Sequence, residues 1–413
     1  MSAPIVVIGA GIVGVSTAIW LQRAGHRVVL LDKDAPGQAA SFGNAGLLAG
    51  WAITPVTSPR LWRDAPPMIL NPRSPLFIKW RQLPRLLPWF ARFLRHTSDA
   101  ETRRIVAAMD PLISDSVDQH RQLAAGTRAE GWIENSKMGF VYNRKRDFKN
   151  DAYMWALKAE YGLSPDVLEG PALRDAEPIL SPQIEVMAVL SGWGHVTNPG
   201  GYITALADAF VAQGGQVVQA EVTAIHRADG TVREVITDQG PMPCKKLVVT
   251  AGAWSREMMQ MLGLDVPLIA ERGYHVLLEE PSMLPRHPML MMNGKFGVNP
   301  MEMGLRCAGT VEYGDTSQTP SRKPLALLRR HIAQSFPKLT YKSTQDWMGF
   351  RPSTPDSLPL IGQIGTSGIY TGFGHQHVGL TAGPKTGRLV AQMIDEQPAN
   401  QDMSGFDPAR YLR

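Results

Sequence analysis

The chain is poor in cysteine: Cys244 and Cys307 are the only two in 413 residues. Two thiols cannot build a disulfide framework, and they fit a reducing compartment. Neither stands in a CxxC pair or a Cys/His cluster, so no metal site is expected. Also missing is any uninterrupted apolar run of about 18 residues, the length a membrane-spanning helix needs. The N-terminus lacks a basic leader and its apolar stretch is broken by glycines, so it does not read as a signal peptide. Charged residues make up only 19% of the chain, and a net charge of +5 spread over this length does not mark a nucleic-acid binder. What remains is a soluble, cytoplasmic globular protein, long enough for two domains.

What is present begins at Ile5, with "IVVIGAGIVGVSTAIWLQRAGHRVVLLDKD". A short β-branched run suits a buried parallel strand. Gly9, Gly11 and Gly14 then form G-x-G-x-x-G. The first glycine permits the tight turn, the second lets a pyrophosphate approach the backbone, and the third lets helix and strand pack closely. The helix that follows offers free N–H groups and a positive dipole end to phosphates. "RVVLLD" reads as the second strand, and its terminal Asp32 stands where an acid would accept hydrogen bonds from an adenosine ribose. Strand, helix, strand and acid in register predict a dinucleotide site. The motif does not separate NAD from FAD, but its place at the start of a long, discontinuous chain points to a flavoprotein.

Further along, "ASFGNAGLLAG", ending at Gly50, has small residues that would let the backbone lie against a flat ring; alone, it reads equally well as a surface loop. "PGGYITALADAFVAQGGQVVQAEVTAI" from Pro199 reads as helix, glycine stop and strand. "KKLVVTAGAW" (245–254) is another buried strand. "GIYTGFGHQHVGLTAGPKTGRLVAQMI", from Gly368 to Ile394, reads as strand, glycine-rich turn and amphipathic helix, with the helix start aimed into the same crevice as the first turn. Segments 137–142, 184–192, 273–279 and 303–312 show the mixed faces of an antiparallel sheet.

Taken together, "VVIGAGIVGVSTAIWLQRAGHRVVLLDKD", "SFGNAG", "LVVTAGAWS", "RGYHVLL", "LRCAGTVEYG", "WMGFRPSTPDSLPLIG" and "TGFGHQHVGLT" resemble the D-amino-acid oxidase/dehydrogenase superfamily of FAD enzymes. Within it the chain is most similar to the bacterial D-amino-acid dehydrogenases. The resemblance runs from residue 5 to about 395. It implies an α/β protein, α+β when taken whole. A Rossmann-like FAD-binding domain (1–58, 193–255 and 346–413) would be woven with a substrate domain of mixed or antiparallel sheet (59–192 and 256–345). The implied FAD contacts are Gly9, Gly11, Gly14, Asp32, Lys33, Ser41, Asn44, Ala45, Gly46, Val222, Ala251 and Gly252. They continue through the last glycine turn with Gly374, Gln376, His377, Val378, Gly379, Leu380 and Thr381, which would offer backbone N–H groups and a helix dipole to the flavin O2 edge.

The resemblance also implies the chemistry: hydride transfer from Cα of a D-amino acid to flavin N5, giving an imino acid that water converts to an oxo acid and ammonia. Electrons would pass to a quinone-type acceptor. Arg351 in "GFRP" stands where the family clamps the substrate carboxylate, and a guanidinium fork suits that task. Arg272 in "ERGYH", with Tyr274 nearby, is a second candidate clamp. His375, beside His377, is a candidate for the pocket wall. No cysteine lies in 347–362, where sarcosine-oxidase relatives attach flavin, so FAD is expected to be non-covalent. Gln376 replaces the smaller residue of many relatives, which leaves pocket shape and oxygen access open. Rivals within the fold are a D-hydroxyproline dehydrogenase, another secondary-amine oxidase, or an oxygen-using oxidase. From a different class, the chain would be a non-catalytic FAD-holding subunit.

Residues 59–95 differ from the rest. They hold eight basic residues (Arg60, Arg63, Arg73, Lys79, Arg81, Arg85, Arg92 and Arg95) against one acid, Asp64, and they carry Trp62, Trp80 and Trp89. Two expectations follow: a peripheral segment on the inner face of an anionic membrane, or a helical lid with a solvated basic face. The prolines predict short helices rather than one long one.

Overall fold

The computed structural model describes residues 3–62, 74–314 and 316–411. Two large sheets organise it. The first has six strands in the order Leu360–Gln363, Ile369–Phe373, Lys246–Val249, Ile5–Ile8, Val28–Asp32, Gln216–Gln219. All neighbours are parallel except the antiparallel edge pair Leu360–Gln363 and Ile369–Phe373. Its strands read as continuous apolar runs because both faces are covered. Ile5, Val7, Val28 and Leu30 pack under the helices Ile12–Arg23, Pro199–Ala212 and Gly379–Ile394. Val6, Ile8, Val29 and Leu31 pack on the other side, with a three-stranded antiparallel sheet (Val222–Ala228, Thr231–Thr237, Gly240–Pro243) and the helix Ser255–Met261.

The first and last of those helices lie in close contact. A Cβ on Gly387 would stand 2.6 Å from the Thr17 nitrogen, and one on Gly383 would stand 2.8 Å from Ile12 Cγ1. Small residues at this crossing bring both helix N-termini to one edge of the sheet.

The second sheet is mostly antiparallel, with ten strands. Its main path runs Ser343–Ser353, Ile269–Glu279, Gly304–Tyr313, Phe296–Met301, Met289–Met291, Ile133–Tyr142, Val186–Val196, Leu47–Leu48. The four antiparallel segments expected from the sequence are all strands here; three run longer than the expected range, and Gly304–Tyr313 keeps its length with a shift of one residue. The central pairing sets the later chemistry. Glu271 lies opposite Arg351, Gly273 opposite Gly349 and His275 opposite Trp347, with Arg272, Tyr274, Phe350 and Met348 between them. Successive strand residues point to opposite faces. The second set, with Val276 and Leu278, joins a core under the helix Arg322–Ser335.

Of residues 59–95, those from 63 to 73, with Arg63, Asp64 and Arg73, lie outside the described residues. The rest forms a strand Leu76–Ile78, a single 3-10 turn Trp80–Gln82 and a helix Leu83–Leu94 that contains Pro88. The helix is not laid flat on solvent. Leu86, Trp89 and Phe93 are buried against Tyr313, and Trp89 Nε1 donates to the Pro267 carbonyl at 3.1 Å. Trp89 therefore belongs to the packed side, whereas Trp80 and Leu87 face outward with Arg81, Arg85, Arg92 and Arg95. Among the described residues, no helix is long and apolar enough to cross a membrane.

Candidate active site

A cavity of about 1040 Å³ lies between the two sheets. One end is a dinucleotide cradle. Gly9 has φ +105°, and a Cβ there would meet the Thr250 carbonyl at 2.5 Å; a Cβ on Gly14 would stand 1.7 Å from the Gly9 carbonyl oxygen. At Gly11 a Cβ would meet only Ser41 Oγ, at 3.2 Å, so this glycine keeps the cavity wall open. The first and third glycines are thus required by the protein's own packing, and the second leaves room for a ligand. Gly11 caps the first helix without a side-chain hydrogen bond. Asp32 Oδ2 accepts the Ala10 N–H at 2.6 Å and Oδ1 accepts the Asp34 N–H at 3.0 Å. Burial raises the Asp32 pKa, and these two N–H groups oppose the shift.

The loop 41–46 forms part of the wall and is held from behind by the second sheet. Arg306 donates to the carbonyls of Phe42 and Asn44, His275 Nδ1 pairs with that of Gly43, and Asn299 donates to that of Ala45. Trp347 stacks on His275 with ring centroids 5.1 Å apart. It fills the space that a Cβ on Gly43 or Gly349 would need. Burial, then the Arg306 charge, lowers the His275 pKa to about 3, so the ring is neutral. Burial lowers that of Arg306 to about 10.

Of the residues singled out from the sequence, Gly9, Gly11, Asp32, Lys33, Ser41, Asn44, Ala45, Val222, Ala251 and Gly252 line the cavity. So do Tyr274, Arg351, His375, Gln376, His377, Gly379 and Leu380. Gly14, Gly46, Gly374, Val378 and Thr381 stand behind the wall. Thr381 Oγ1 accepts the Ala49 N–H and pairs with the Leu47 carbonyl. The last helix starts at Gly379 with no side-chain cap, so its first N–H groups are left to the cavity.

The two arginine candidates have different settings. Arg351 keeps a quarter of its side-chain surface, on the cavity, and its Nη1 donates to Glu271 Oε1 at 2.9 Å. No other hydrogen bond to it occurs among the described residues. Gly273 makes the guanidinium's place, because a Cβ there would stand 2.7 Å from Arg351 Cζ. Arg272 is wholly buried and is not part of the cavity wall. It pairs with Glu312 at 2.6 Å and donates to the carbonyls of Ser317 and Thr319. Tyr274 turns its hydroxyl into the same cluster, donating to Glu312.

His375 is also turned inward: its Nε2 pairs with Thr386 Oγ1 at 2.9 Å, and burial lowers its pKa to about 3. His377 lines the cavity with its side chain exposed, and its pKa is lowered first by desolvation and then by the Arg351 charge. Gln376 adopts φ +49° and donates through Nε2 to the Thr354 carbonyl, folding back against the wall.

The sequence reading passed over Glu271, Trp347, His275, Asn299, Arg306 and Thr310. Alternation in "ERGYH" could have grouped 271, 273 and 275. Thr310 had no such signal: it takes φ +58° at a bulge where Tyr274 pairs with Gly309, and it lines the cavity.

A parallel sheet with a glycine cradle at its strand ends, opening onto an antiparallel sheet with a polar wall, defines a dinucleotide-dependent oxidoreductase. The sequence profile of the FAD dependent oxidoreductase family matches residues 4–393, and the chain belongs to that family. It is 36% identical to a D-amino-acid oxidase from Bradyrhizobium diazoefficiens and 28% identical to a D-amino acid dehydrogenase from Methylobacterium nodulans, in each case over 99% of both chains. Its fold is similar to that of glycine oxidase from Geobacillus kaustophilus, with a TM-score of 0.76 and 20% identity over 99% of both chains. The protein is an FAD-dependent enzyme, and the cradle fits that cofactor: Gly11 leaves the wall open, the helix above it has no side-chain cap, and Asp32 closes the second strand.

Proposed function

We propose that the protein dehydrogenates D-amino acids, releasing 2-oxo acids and ammonia. The observation that carries this reading is Arg351. It is a guanidinium on the cavity face, steadied on one side by Glu271, with donors left for an incoming carboxylate. Its planar fork holds a carboxylate at two points and so fixes the direction of the Cα–H bond. Glu271 in turn is steadied by Ser353 Oγ at 3.3 Å and by the Tyr313 hydroxyl at 3.4 Å. The lowered pKa of His377 keeps a second positive charge away from the substrate amine, which reacts as the neutral base. When bound, FAD supplies the acceptor for the hydride that leaves Cα. The apolar walls limit water until the iminium product is released and hydrolysed. No protein base has to remove the Cα proton.

Neither cysteine lines the cavity, and both are buried, which supports non-covalent FAD. Gly11→Val is expected to abolish flavin retention, read as loss of flavin absorbance after gel filtration; full retention would misplace the cradle. An open cavity with Arg351 on its wall argues against a purely cofactor-holding subunit. Anaerobic bleaching of the flavin by a panel of D-amino, L-amino and imino acids tests the substrate class. Bleaching by D-amino acids alone supports it, and bleaching by imino acids alone would favour the secondary-amine reading.

For the acceptor, we propose a quinone reached at an anionic membrane through the exposed basic face with Trp80 and Leu87. The rival is molecular oxygen, favoured by the 36%-identical relative named an oxidase and by the burial of Trp89. Trp80→Ser with Leu87→Ser is expected to release the protein from anionic liposomes while dye-linked turnover persists. Equal sedimentation of both forms would leave oxygen as the acceptor.

A further inference from the structure

At another part of the cavity wall a lysine stands in an aromatic box. Lys158 is 7% exposed, on the helix Ala152–Ala159. Its Nζ lies 4.8 Å from the centroid of Phe140, 5.2 Å from that of Trp155 and 5.3 Å from that of Trp51. It has no hydrogen bond or ion pair among the described residues. The neighbouring acid, Asp151, is already engaged by Arg60 at 2.7 Å, and the Tyr142 hydroxyl accepts from Trp155 Nε1 at 3.0 Å. Lys158, its three rings, Tyr142 and Asp151 all border the cavity.

A buried ammonium without a hydrogen-bonded anion is a costly arrangement. Three ring faces offset part of the lost hydration. Burial holds the lysine down to about pKa 8, opposed by the Asp151 charge, so it still carries a proton through most of the neutral range. What the box lacks is an acceptor. Its position says where one would come from. Phe140 and Tyr142 belong to the strand Ile133–Tyr142 of the antiparallel sheet, which also carries Arg351. Asp32 and the glycine cradle belong to the other sheet. No part of the cradle uses the box.

We propose that Lys158 and its aromatic box form the side-chain subsite of the enzyme and receive a second carboxylate, so that dicarboxylic D-amino acids are the preferred substrates. This rests on the D-amino-acid reading, with Arg351 holding the α-carboxylate. The aromatic walls take the methylene portion, and the ammonium takes the distal oxygens. A carboxamide of the same size offers no charge, and the comparison between acid and amide isolates the contribution of Lys158.

The test is anaerobic flavin reduction in the holoenzyme by D-aspartate and D-glutamate against D-asparagine and D-glutamine. The wild type is expected to favour the acids by at least tenfold in the second-order rate. Lys158→Met is expected to lower that acid-to-amide ratio by about ten- to hundredfold, as loss of a charge-assisted bond does. Lys158→Arg is expected to restore part of it. A wild-type ratio near one, or a ratio unchanged in Lys158→Met, overturns the subsite while leaving D-amino-acid oxidation in place. Reduction by none of the D-amino acids overturns the underlying reading as well. Should Lys158→Met fail to fold, competition in the unmodified enzyme decides. Glutarate is expected to inhibit at least tenfold more strongly than butyrate, and equal inhibition contradicts the proposal.

Discussion

Two arginine–glutamate pairs start from adjacent positions, 271 and 272, of the strand Ile269–Glu279 and have opposite surroundings. Arg351 and Glu271 stand across from each other on the face toward the cavity, 25% and 13% exposed. Arg272, one residue on from Glu271, is 0% exposed and pairs with Glu312 on the face toward the core. The charges are the same and the distances similar, 2.9 and 2.6 Å. Strand alternation makes one pair available to ligand and seals the other. The lesson is that a conspicuous arginine in a strand motif should be assigned by its parity before its chemistry.

This contrast is broken most visibly by removing the sealed arginine. Arg272→Ala leaves Glu312 as a buried charge without its partner, at a cost of about 3–5 kcal/mol. The melting temperature is expected to fall by on the order of 10 °C. Adding Glu312→Gln should recover part of the loss. A melting curve unchanged by Arg272→Ala would mean that the pair is not sealed.

Next in size is the open arginine. Arg351→Ala is expected to raise KM about ten- to hundredfold, from the loss of roughly 1.5–3 kcal/mol. The fold should change little, because a part-exposed pair contributes little to stability. Arg351→Lys should recover only part, since an ammonium lacks the fork. A smaller effect sharpens the geometry. Gly273→Ala places a Cβ 2.7 Å from Arg351 Cζ. It is expected to displace the guanidinium and raise KM by roughly tenfold at most, with FAD retained. Wild-type kinetics in this variant would show that the guanidinium does not depend on that space.

A pH-dependent effect concerns the buried rings near the same wall. His275 and His375 are held to a pKa of about 3 and His120 to about 4, all chiefly by burial. In the unfolded chain each titrates near 6.5. Below that pH the unfolded state binds protons that the native state does not. Stability is therefore expected to fall as pH drops from about 6.5 toward 4, by up to about 1.4 kcal/mol per unit for each ring. His275→Gln should flatten the slope measured by denaturant titration at several pH values; an unaltered slope would mean that His275 is not held neutral.

The local motifs were the most legible part of the sequence. Gly9, Gly11, Gly14 and Asp32 announce their turn because each step is short-range, and the structure shows the packing that forbids a Cβ at Gly9 and Gly14. Strand periodicity gave the antiparallel segments for the same reason. The clamps behind loop 41–46 were not legible: Arg306, Asn299 and His275 reach it from more than 200 positions away in the chain. The aromatic box was equally hidden, since Trp51 and Phe140 come from elements distant in the chain from the helix that carries Trp155 and Lys158. In the basic segment the sequence registered Trp80 and Trp89 alike. Only the contact of Trp89 with Phe93 and Tyr313 separates an outward tryptophan from a packed one.

The most direct test of the account is the concentration dependence of anaerobic flavin reduction by a D-amino acid in wild type and Arg351→Ala. The account expects the saturating rate to stay within a fewfold and the concentration giving half that rate to rise at least tenfold. An unchanged half-saturating concentration, with flavin still bound and reduced, would contradict it and place the carboxylate elsewhere on the cavity wall.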